Sequence, residues 1–280
     1  MIVTPDLITA EYVKTVLKKR ERDIHKGDCG KVLVIAGTRG MAGAAILCGK
    51  AALRSGAGLV RVAVSEELFP IIQTALPEAT CVEKQISPAS LKAYDAIAIG
   101  PGLGEHNENE ELTLMILKEF KKTVIIDADG LNALARAGEV GALKYSQAKV
   151  VITPHMGEAK RLIPGYADAD RLTIADMLVQ ETGSVVVLKG ADTIVASPSE
   201  TMYFNTTGNP GMATGGSGDV LTGMIAALAG QTGNTWDSAK AGVFLHGLAG
   251  DIASEKFGEY GLIAGDIAEA AAFAIKKMMD

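Results

Sequence analysis

Residues 206–223 read TTGNPGMATGGSGDVLTG, which places five glycines and a proline directly before a helical pattern. Glycine lets a backbone approach a phosphate without side-chain clash, and N–H groups at a helix N-terminus bind anions. Gly215, Gly216 and Gly218 therefore predict an anion-binding loop, in which the hydroxyl of Ser217 assists the backbone amides.

A single acid, Asp219, lies at the junction between this loop and the helix. In one interpretation the carboxylate only caps the helix, because the helix dipole stabilises an acid at that end. In the other it is a general base beside a phosphoryl group in transfer, where it takes the proton of a hydroxyl. The loop and the acid together favour the second interpretation.

Three familiar motifs for phosphate or nucleophile sites do not occur in the sequence. No string matches the Walker A pattern G-x-x-x-x-G-K-[ST], and Gly37, Gly40 and Gly43 are spaced by threes rather than as G-x-G-x-x-G. The nucleophile elbow G-x-S-x-G fails because Asp219 occupies its last position. The predicted phosphate site is therefore of another type.

Polar or glycine-rich residues follow five predicted strands, whose ends read IAGTRG, AIGPGLG, IIDADG, VITPHMGE and VLKGADT. Ligands of open α/β sheets bind outside the carboxyl ends of the strands. Loops are often polar and glycine-rich for no functional reason, but five such ends beside TGGSGD outline one cleft.

The elements that position this cleft alternate along the chain. Apolar runs rich in β-branched residues predict strands at 31–37, 59–64, 95–100, 123–130, 149–155 and 184–190. Helical patterns lie at 43–56, 109–122, 218–230, 236–256 and 265–279, and a hairpin is predicted from 192–197 and 201–205. This order predicts an α/β fold with a mainly parallel sheet between two helical layers, as one domain over residues 1–280.

Composition limits the classes of function. The 280 residues carry a net charge of −6, which argues against a nucleic-acid-binding surface. The three cysteines form no C-x-x-C pair, and their odd number favours a reducing compartment. Neither a signal peptide nor a membrane-spanning run is found in the sequence, so we expect a cytoplasmic protein.

Several motifs occur together in a characteristic order: HKGDCGKVLVIAG, MAGAA, SGAGLV, GPGLG, DADGLNAL, TPHMGE, VLKGADT, GNPGMATGGSGDVLTG and LHGLAGD. From about residue 25 to 266 the chain resembles the ADP/ATP-dependent NAD(P)H-hydrate dehydratases of the ribokinase-like superfamily. The methionine of TPHMGE stands where a proline is expected in that family. The resemblance implies a three-layer ribokinase-like fold and a lyase that restores NADH or NADPH from the S epimer of its hydrate. In that reaction ADP or ATP phosphorylates the ring hydroxyl, and phosphate is then eliminated.

The resemblance also implies roles for individual residues. Asp219 is expected to be the catalytic base, beside an anion hole of Gly215, Gly216, Ser217 and Gly218. The expected nucleotide-binding residues are Lys189, Gly190, Ala191, Asp192, Thr193 and Gly218. The expected contacts to the hydrated dinucleotide are Ala44, Gly104, His155 and Asp219. Without the resemblance, Lys189 could be a surface residue, but a lysine directly before glycine at the end of a parallel strand more often points into a cleft. His155 could be a structural histidine, which is the less favoured alternative, and His246 is expected to pack within an apolar helix.

Phosphoryl transfer from a nucleotide usually requires Mg²⁺. By resemblance, Glu158 organises the magnesium waters, and Asp127 and Asp129 assist, all of them through water. The chain is shorter than relatives that carry an epimerase domain, so we expect dependence on a separate epimerase. The family further implies a homotetramer and, in members of this length, a preference for ADP over ATP.

Two other functions fit the same residues. A ribokinase-like small-molecule kinase acting on a hydroxymethylpyrimidine, a thiazole alcohol or a sugar needs the same base and anion hole, but leaves a stable phosphoester instead of releasing phosphate. A nucleotide-binding sensor is disfavoured, because a sensor has no use for a base such as Asp219 beside the phosphate.

Overall fold

The computed structural model of the protein describes residues 6–166 and 168–280. The strands are β1 (Asp6–Leu7), β2 (Lys31–Ile35), β3 (Leu59–Val64), β4 (Thr80–Glu83), β5 (Ala96–Ile99), β6 (Thr123–Ile126), β7 (Lys149–Ile152), β8 (Val185–Leu188), β9 (Thr193–Ser197) and β10 (Glu200–Asn205). The helices are α1 (Ala10–Val16), α2 (Ala42–Arg54), α3 (Phe69–Ala75), α4 (Pro88–Leu91), α5 (Asn107–Glu119), α6 (Ala128–Ala137), α7 (Met156–Leu162), α8 (Arg171–Thr182), α9 (Ser217–Thr232), α10 (Thr235–Gly261) and α11 (Ala264–Met279). Short 3₁₀ turns lie at Glu66–Leu68, Val140–Tyr145, Pro164–Tyr166 and Pro210–Met212. Within the described ranges, no helix combines the length and the apolar character needed to cross a membrane.

The ten strands form one sheet in the order β1-β10-β9-β8-β7-β6-β5-β2-β3-β4. β9 pairs antiparallel with both β8 and β10, whereas the other pairings among the described residues are parallel. The predicted mainly parallel sheet and the predicted hairpin are therefore confirmed. β1 and β4 lie at the two edges and are not among the predicted strands.

Both faces of the sheet are covered, because successive side chains of a strand point to opposite sides. In β2, Val32 and Val34 pack into a core shared with α2, α9, α10 and α11, and Leu33 and Ile35 pack into a core shared with α5, α6, α7 and α8. All four side chains are fully buried. The three-layer α/β/α architecture is thus confirmed.

Two strands of the structure, β6 and β7, end before the predicted strands at 123–130 and 149–155 do. The prediction 123–130 is wrong beyond Ile126, because Asp127 is the N-cap of α6. The prediction 149–155 likewise extends too far, since β7 ends at Ile152 and His155 caps α7. At both places the chain leaves the sheet before its polar residues, which therefore lie in loops above the sheet edge. The five predicted helices are confirmed as α2, α5, α9, α10 and α11, with ends that differ by up to five residues.

The close packing of α9 on α2 depends on Gly223. A Cβ atom built at Gly223 would lie 2.1 Å from the backbone oxygen of Cys48, far inside contact distance. We expect Gly223→Ala to force the two helices apart and to lower the free energy of unfolding by about 1–3 kcal/mol, the usual cost of overpacking a core. Denaturant unfolding monitored by circular dichroism measures the change.

The matched control for this variant is Gly43→Ala in the first turn of α2. A Cβ at Gly43 would meet no atom within 4 Å, so the alanine should be neutral or slightly stabilising through its higher helix propensity. Equal stability of Gly223→Ala and the native protein would show that α9 moves freely against α2.

Candidate active site

A lysine and a buried acid form the centre of the site. The Lys189 ammonium, at the end of β8, lies 2.6 Å from Asp127 Oδ1, which follows β6. Asp127 is 1% exposed, and its other oxygen accepts a hydrogen bond of 2.8 Å from the Thr222 hydroxyl on α9. Burial lowers the pKa of Lys189, but the carboxylates of Asp127 and Glu158 more than offset this and raise it above its ordinary value. The lysine is therefore held as a cation.

Glu158 and His155 form a capping box at the start of α7. The His155 N–H donates to Glu158 Oε2 at 2.8 Å, and His155 Nδ1 accepts from the N–H groups of Gly157 and Glu158. The same Glu158 oxygen lies 3.8 Å from the Lys189 ammonium. The His155 ring therefore caps α7, as the structural interpretation expects, and its side chain is 53% exposed. A contact with the hydrated dinucleotide stays a prediction.

The glycine-rich loop feeds α9 through a left-handed residue. Gly216 is the N-cap with φ +92°, and a Cβ atom there would lie 2.4 Å from Leu47 Cδ1. A Cβ atom at Gly218 would lie 3.2 Å from the Lys189 ammonium, so this lysine approaches the first turn of α9. Ser217 Oγ lies 3.4 Å from His246 Nε2, and burial lowers the pKa of His246 to about 4. The neutral imidazole of His246 therefore contacts the glycine-rich loop at Ser217.

The pKa of Asp219, in the first turn of α9, is raised to about 7. Burial is the largest cause, followed by repulsion from Asp127; Lys189 acts in the opposite direction, and Asp129 and Glu158 add smaller repulsions. A carboxylate with this pKa is a far stronger base than a solvated one and is still largely ionised just above neutral pH. Carboxyl groups tuned in this way are typical of catalytic acids and bases.

This electrostatic environment predicts the pH dependence of turnover. Because Asp219 must be ionised to accept a proton, kcat/KM should rise with pH through about 7 and then level off. Steady-state kinetics from pH 5.5 to 9 at constant ionic strength measures the profile. A flat profile across pH 7 would exclude a base with this pKa.

The same shift predicts a stability effect with a definite sign. The folded pKa of Asp219 lies above the reference value of 3.8, so the folded state binds the proton more tightly and loses stability as pH rises from about 4 to 7. Asp219→Asn removes this loss and should raise the free energy of unfolding at pH 8 by about 2–4 kcal/mol. At pH 4 the variant and the native protein should be equally stable, and an equal difference at both pH values would contradict the assignment.

The GPGLG loop lies above the carboxyl end of β5. The Gly104 N–H donates to Asp129 Oδ2 at 2.7 Å, and the Asn109 amide donates to the carbonyls of Leu103 and Gly104 at 3.1 and 2.9 Å. A Cβ atom at Gly102 would lie 2.8 Å from Ala44 Cβ. The structure thus places Asp129 against Gly104 and Ala44 against Gly102 of the same loop, although sequence reasoning overlooked Asn109.

The β8–β9 turn carries the predicted nucleotide-binding residues 190–193. Two of its residues have positive φ, Gly190 at +146° and Asp192 at +52°. The Thr193 hydroxyl donates to the Gly190 carbonyl at 2.9 Å. Among the described contacts, those of Ala191 and Asp192 go to Arg171 of α8, a residue that sequence reasoning did not single out.

The start of the glycine-rich loop is tied to α10. Asp251 Oδ2 accepts from the Gly208 N–H at 2.9 Å, and its Oδ1 accepts from the Asn209 amide at 3.0 Å. Asn209 in turn caps the 3₁₀ turn through the Gly211 N–H at 3.0 Å. The motifs GNPG and LHGLAGD contain these residues, but neither motif alone indicates that Asp251 bonds to Gly208 and Asn209.

The three predicted metal residues do not converge on one point. In the described ranges, no three His, Cys, Asp or Glu side chains are arranged to hold an ion directly. Asp127 pairs with Lys189, Glu158 accepts a hydrogen bond from the His155 N–H, and Asp129 accepts one from the Gly104 N–H. Because Mg²⁺ keeps several waters and binds substrate phosphates, Asp129 and Glu158 fit an ion held through its water shell. Asp127 fits this role less well, since it is buried and both of its oxygens are hydrogen-bonded.

Comparisons with known proteins agree with this architecture. Residues 32–272 match the family described as NAD(P)H-hydrate dehydratase. The ADP-dependent (S)-NAD(P)H-hydrate dehydratase of Neisseria meningitidis is 37% identical over 270 residues, which cover 95% of this chain and 91% of that protein. The Bacillus subtilis ADP/ATP-dependent NAD(P)H-hydrate dehydratase, crystallised with ATP and Mg²⁺, superposes with a TM-score of 0.86 at 30% identity, over 98% of this chain and 99% of that one.

Some relatives are considerably longer. The bifunctional NAD(P)H-hydrate repair enzyme of Escherichia coli is 42% identical over 264 residues, covering 92% of this chain but 50% of that protein. The chain thus spans about half the length of the bifunctional relatives it matches.

Proposed function

The chain belongs to the NAD(P)H-hydrate dehydratase family, and on that premise we propose that it restores NADH and NADPH from the S epimers of their hydrates, with ADP or ATP as phosphoryl donor. The observation that carries this proposal is the position and pKa of Asp219, which lies at the start of α9 beside Gly218 and Lys189.

In the proposed reaction Asp219 accepts the proton of the nicotinamide-ring hydroxyl. The hydroxyl oxygen then attacks the terminal phosphorus of the nucleotide, and the bond to the bridging oxygen breaks. The amides of Gly215, Gly216 and Gly218 and the Ser217 hydroxyl stabilise the charge on the transferred phosphoryl group. Each such donor contributes about 3–4 kcal/mol where it acts on the transition state.

Phosphorylation converts a poor leaving group into a good one. Hydroxide is a strong base and leaves slowly, whereas phosphate is a much weaker base. Loss of phosphate with its C–O electron pair, together with a ring proton, forms the double bond of the dihydropyridine. The products are NADH or NADPH, inorganic phosphate and the shortened nucleotide.

Other residues of the site bind rather than react in this proposal. Lys189 and residues 190–193 bind the nucleotide phosphates, and Ala44, Gly104 and His155 contact the hydrated dinucleotide. Asp129 and Glu158 would face the water shell of Mg²⁺, which would offset the charge of the phosphates. Asp127 is buried with both oxygens hydrogen-bonded, and its part is to hold Lys189 in place.

The direct test mixes purified protein with chemically prepared NADH hydrate, Mg²⁺ and either ADP or ATP. The expected result is recovery of dihydronicotinamide absorbance with an equal amount of released phosphate, and the comparison of the two nucleotides gives the preferred donor. Folded protein that binds ADP but restores no NADH would contradict the dehydratase and favour a ribokinase-like kinase, which would leave a stable phosphoester on another alcohol.

The proposal extends to the surroundings of the enzyme. We expect a cytoplasmic protein, since both substrates are metabolites of that compartment, and an epimerase that converts the other hydrate epimer. Addition of such an epimerase should raise NADH recovery from an epimer mixture from partial to complete. We also propose a homotetramer, which light scattering after size-exclusion chromatography measures directly.

A further inference from the structure

Arg171, the first residue of α8, reaches the carbonyls of the β8–β9 turn. Its guanidinium donates to the carbonyl oxygens of Leu188 at 3.4 Å and Asp192 at 3.3 Å, and to that of Ala191 in a short hydrogen bond. The base of Arg171 is fixed as well, because Asp170 caps α8 through the N–H groups of residues 172 and 173. One side chain thus ties both ends of the turn to a helix.

The turn contains a non-glycine residue with a left-handed backbone. Asp192 adopts φ +52°, a left-handed conformation that costs a non-glycine residue about 1–3 kcal/mol. A Cβ atom at Gly190 would lie 3.1 Å from Arg171 Nη2, so the guanidinium also occupies the space beside this glycine. Arg171 thus contacts the carbonyls on both sides of this left-handed residue.

The contact between Arg171 and the Ala191 carbonyl fixes the direction of the Asp192 N–H group. In a trans peptide the C=O of one residue and the N–H of the next point in opposite directions. Because the Ala191 carbonyl is drawn toward Arg171, the Asp192 N–H is directed away from it. Outward N–H groups of a tight turn bind phosphate oxygens, and the ammonium of Lys189 begins the same segment.

We propose that Arg171 is a positioning residue for nucleotide binding: it orients the backbone of residues 190–193 toward the phosphates without touching the reacting atoms. This inference rests on the proposed function, which places the nucleotide at this turn. Arginine suits the task because its planar guanidinium offers several donors in a fixed geometry, whereas lysine offers one compact ammonium group.

The test compares Arg171→Met and Arg171→Lys with the native protein. Titration calorimetry should show that the methionine variant binds ADP about tenfold more weakly or worse, since three charged hydrogen bonds to the turn are lost. The lysine variant should fall between the two. At saturating ADP, kcat should stay within about twofold of the native value, because Asp219 and the anion loop are unchanged.

A matched control is Arg54→Met, which removes a guanidinium that pairs with Glu269 Oε2 at 2.7 Å between α2 and α11. This variant should bind ADP as the native protein does. Hydrogen exchange of the ADP-bound proteins gives a second readout: amides of residues 190–193 should exchange faster in Arg171→Met, while β8 stays protected.

Unchanged ADP affinity in a folded Arg171→Met protein would overturn the inference, as would an equal fall in kcat and affinity. If Arg171→Met does not fold, Arg171→Lys provides the test. Native ADP affinity of that variant, together with unchanged hydrogen exchange of residues 190–193, would overturn the inference. Native protein that fails to bind ADP would instead contradict the proposed function and, with it, the inference that rests on it.

Discussion

Asp219→Asn is expected to lower turnover by a factor of about 10²–10⁴, the usual contribution of general base catalysis. Asparagine has nearly the same shape and still suits a helix start, so the fold and the anion loop should remain. The amide cannot accept the hydroxyl proton, however, and the ring oxygen then attacks phosphorus without a base. ADP affinity should stay within about twofold of the native value, because binding does not require the proton transfer.

Single-turnover measurements with NADH hydrate and saturating ADP isolate the chemical step for this variant. Asp237→Asn is a suitable control, since it changes an acid in the first turn of another helix, α10, and should keep native turnover. If Asp219→Asn retained more than about a tenth of the native rate, the carboxylate would be a helix-stabilising acid and not the base.

Lys189→Met is expected to lower the free energy of unfolding by about 3–5 kcal/mol, because it removes the cation from a buried ion pair. Asp127 is 1% exposed and would keep only the Thr222 hydroxyl as a side-chain hydrogen-bond donor. The loss of this positive charge should also raise the pKa of Asp219 further, which moves the pH profile of any residual activity to more alkaline pH. ADP binding should weaken as well.

The double variant Asp127→Asn/Lys189→Met separates these effects. Neutralising the buried acid should restore stability by about 2 kcal/mol or more relative to Lys189→Met, while ADP affinity stays low. Denaturant unfolding at pH 7.5 and titration calorimetry measure the two quantities. If Lys189→Met unfolded at the native midpoint, Asp127 would have access to water, and the account of the site's electrostatics would be wrong.

Much of the fold follows from the sequence. Short β-branched runs that alternate with helical patterns have few stable arrangements other than a parallel sheet covered on both faces, because each run must bury two faces. The start of α9 can also be predicted from the sequence, since glycines before an apolar helical segment permit the left-handed Gly216. The segment is not amphipathic, however, because residues 220–229 are all buried between the sheet and the neighbouring helices. These features depend on local conformational preference and on the pattern of apolar residues. Both can be read from residues that are close together in the sequence.

Only the tertiary structure decided how the site is assembled. Lys189 and Asp127 are 62 residues apart, and neither residue type indicates that they form a buried pair. The pKa of Asp219 follows from burial and from charges that lie just after β6 and β8 and in α6 and α7. Arg171 reaches the β8–β9 turn through the placement of α8. Electrostatic interactions act through space over several ångströms, so they are determined where the chain segments meet and not where they adjoin in sequence.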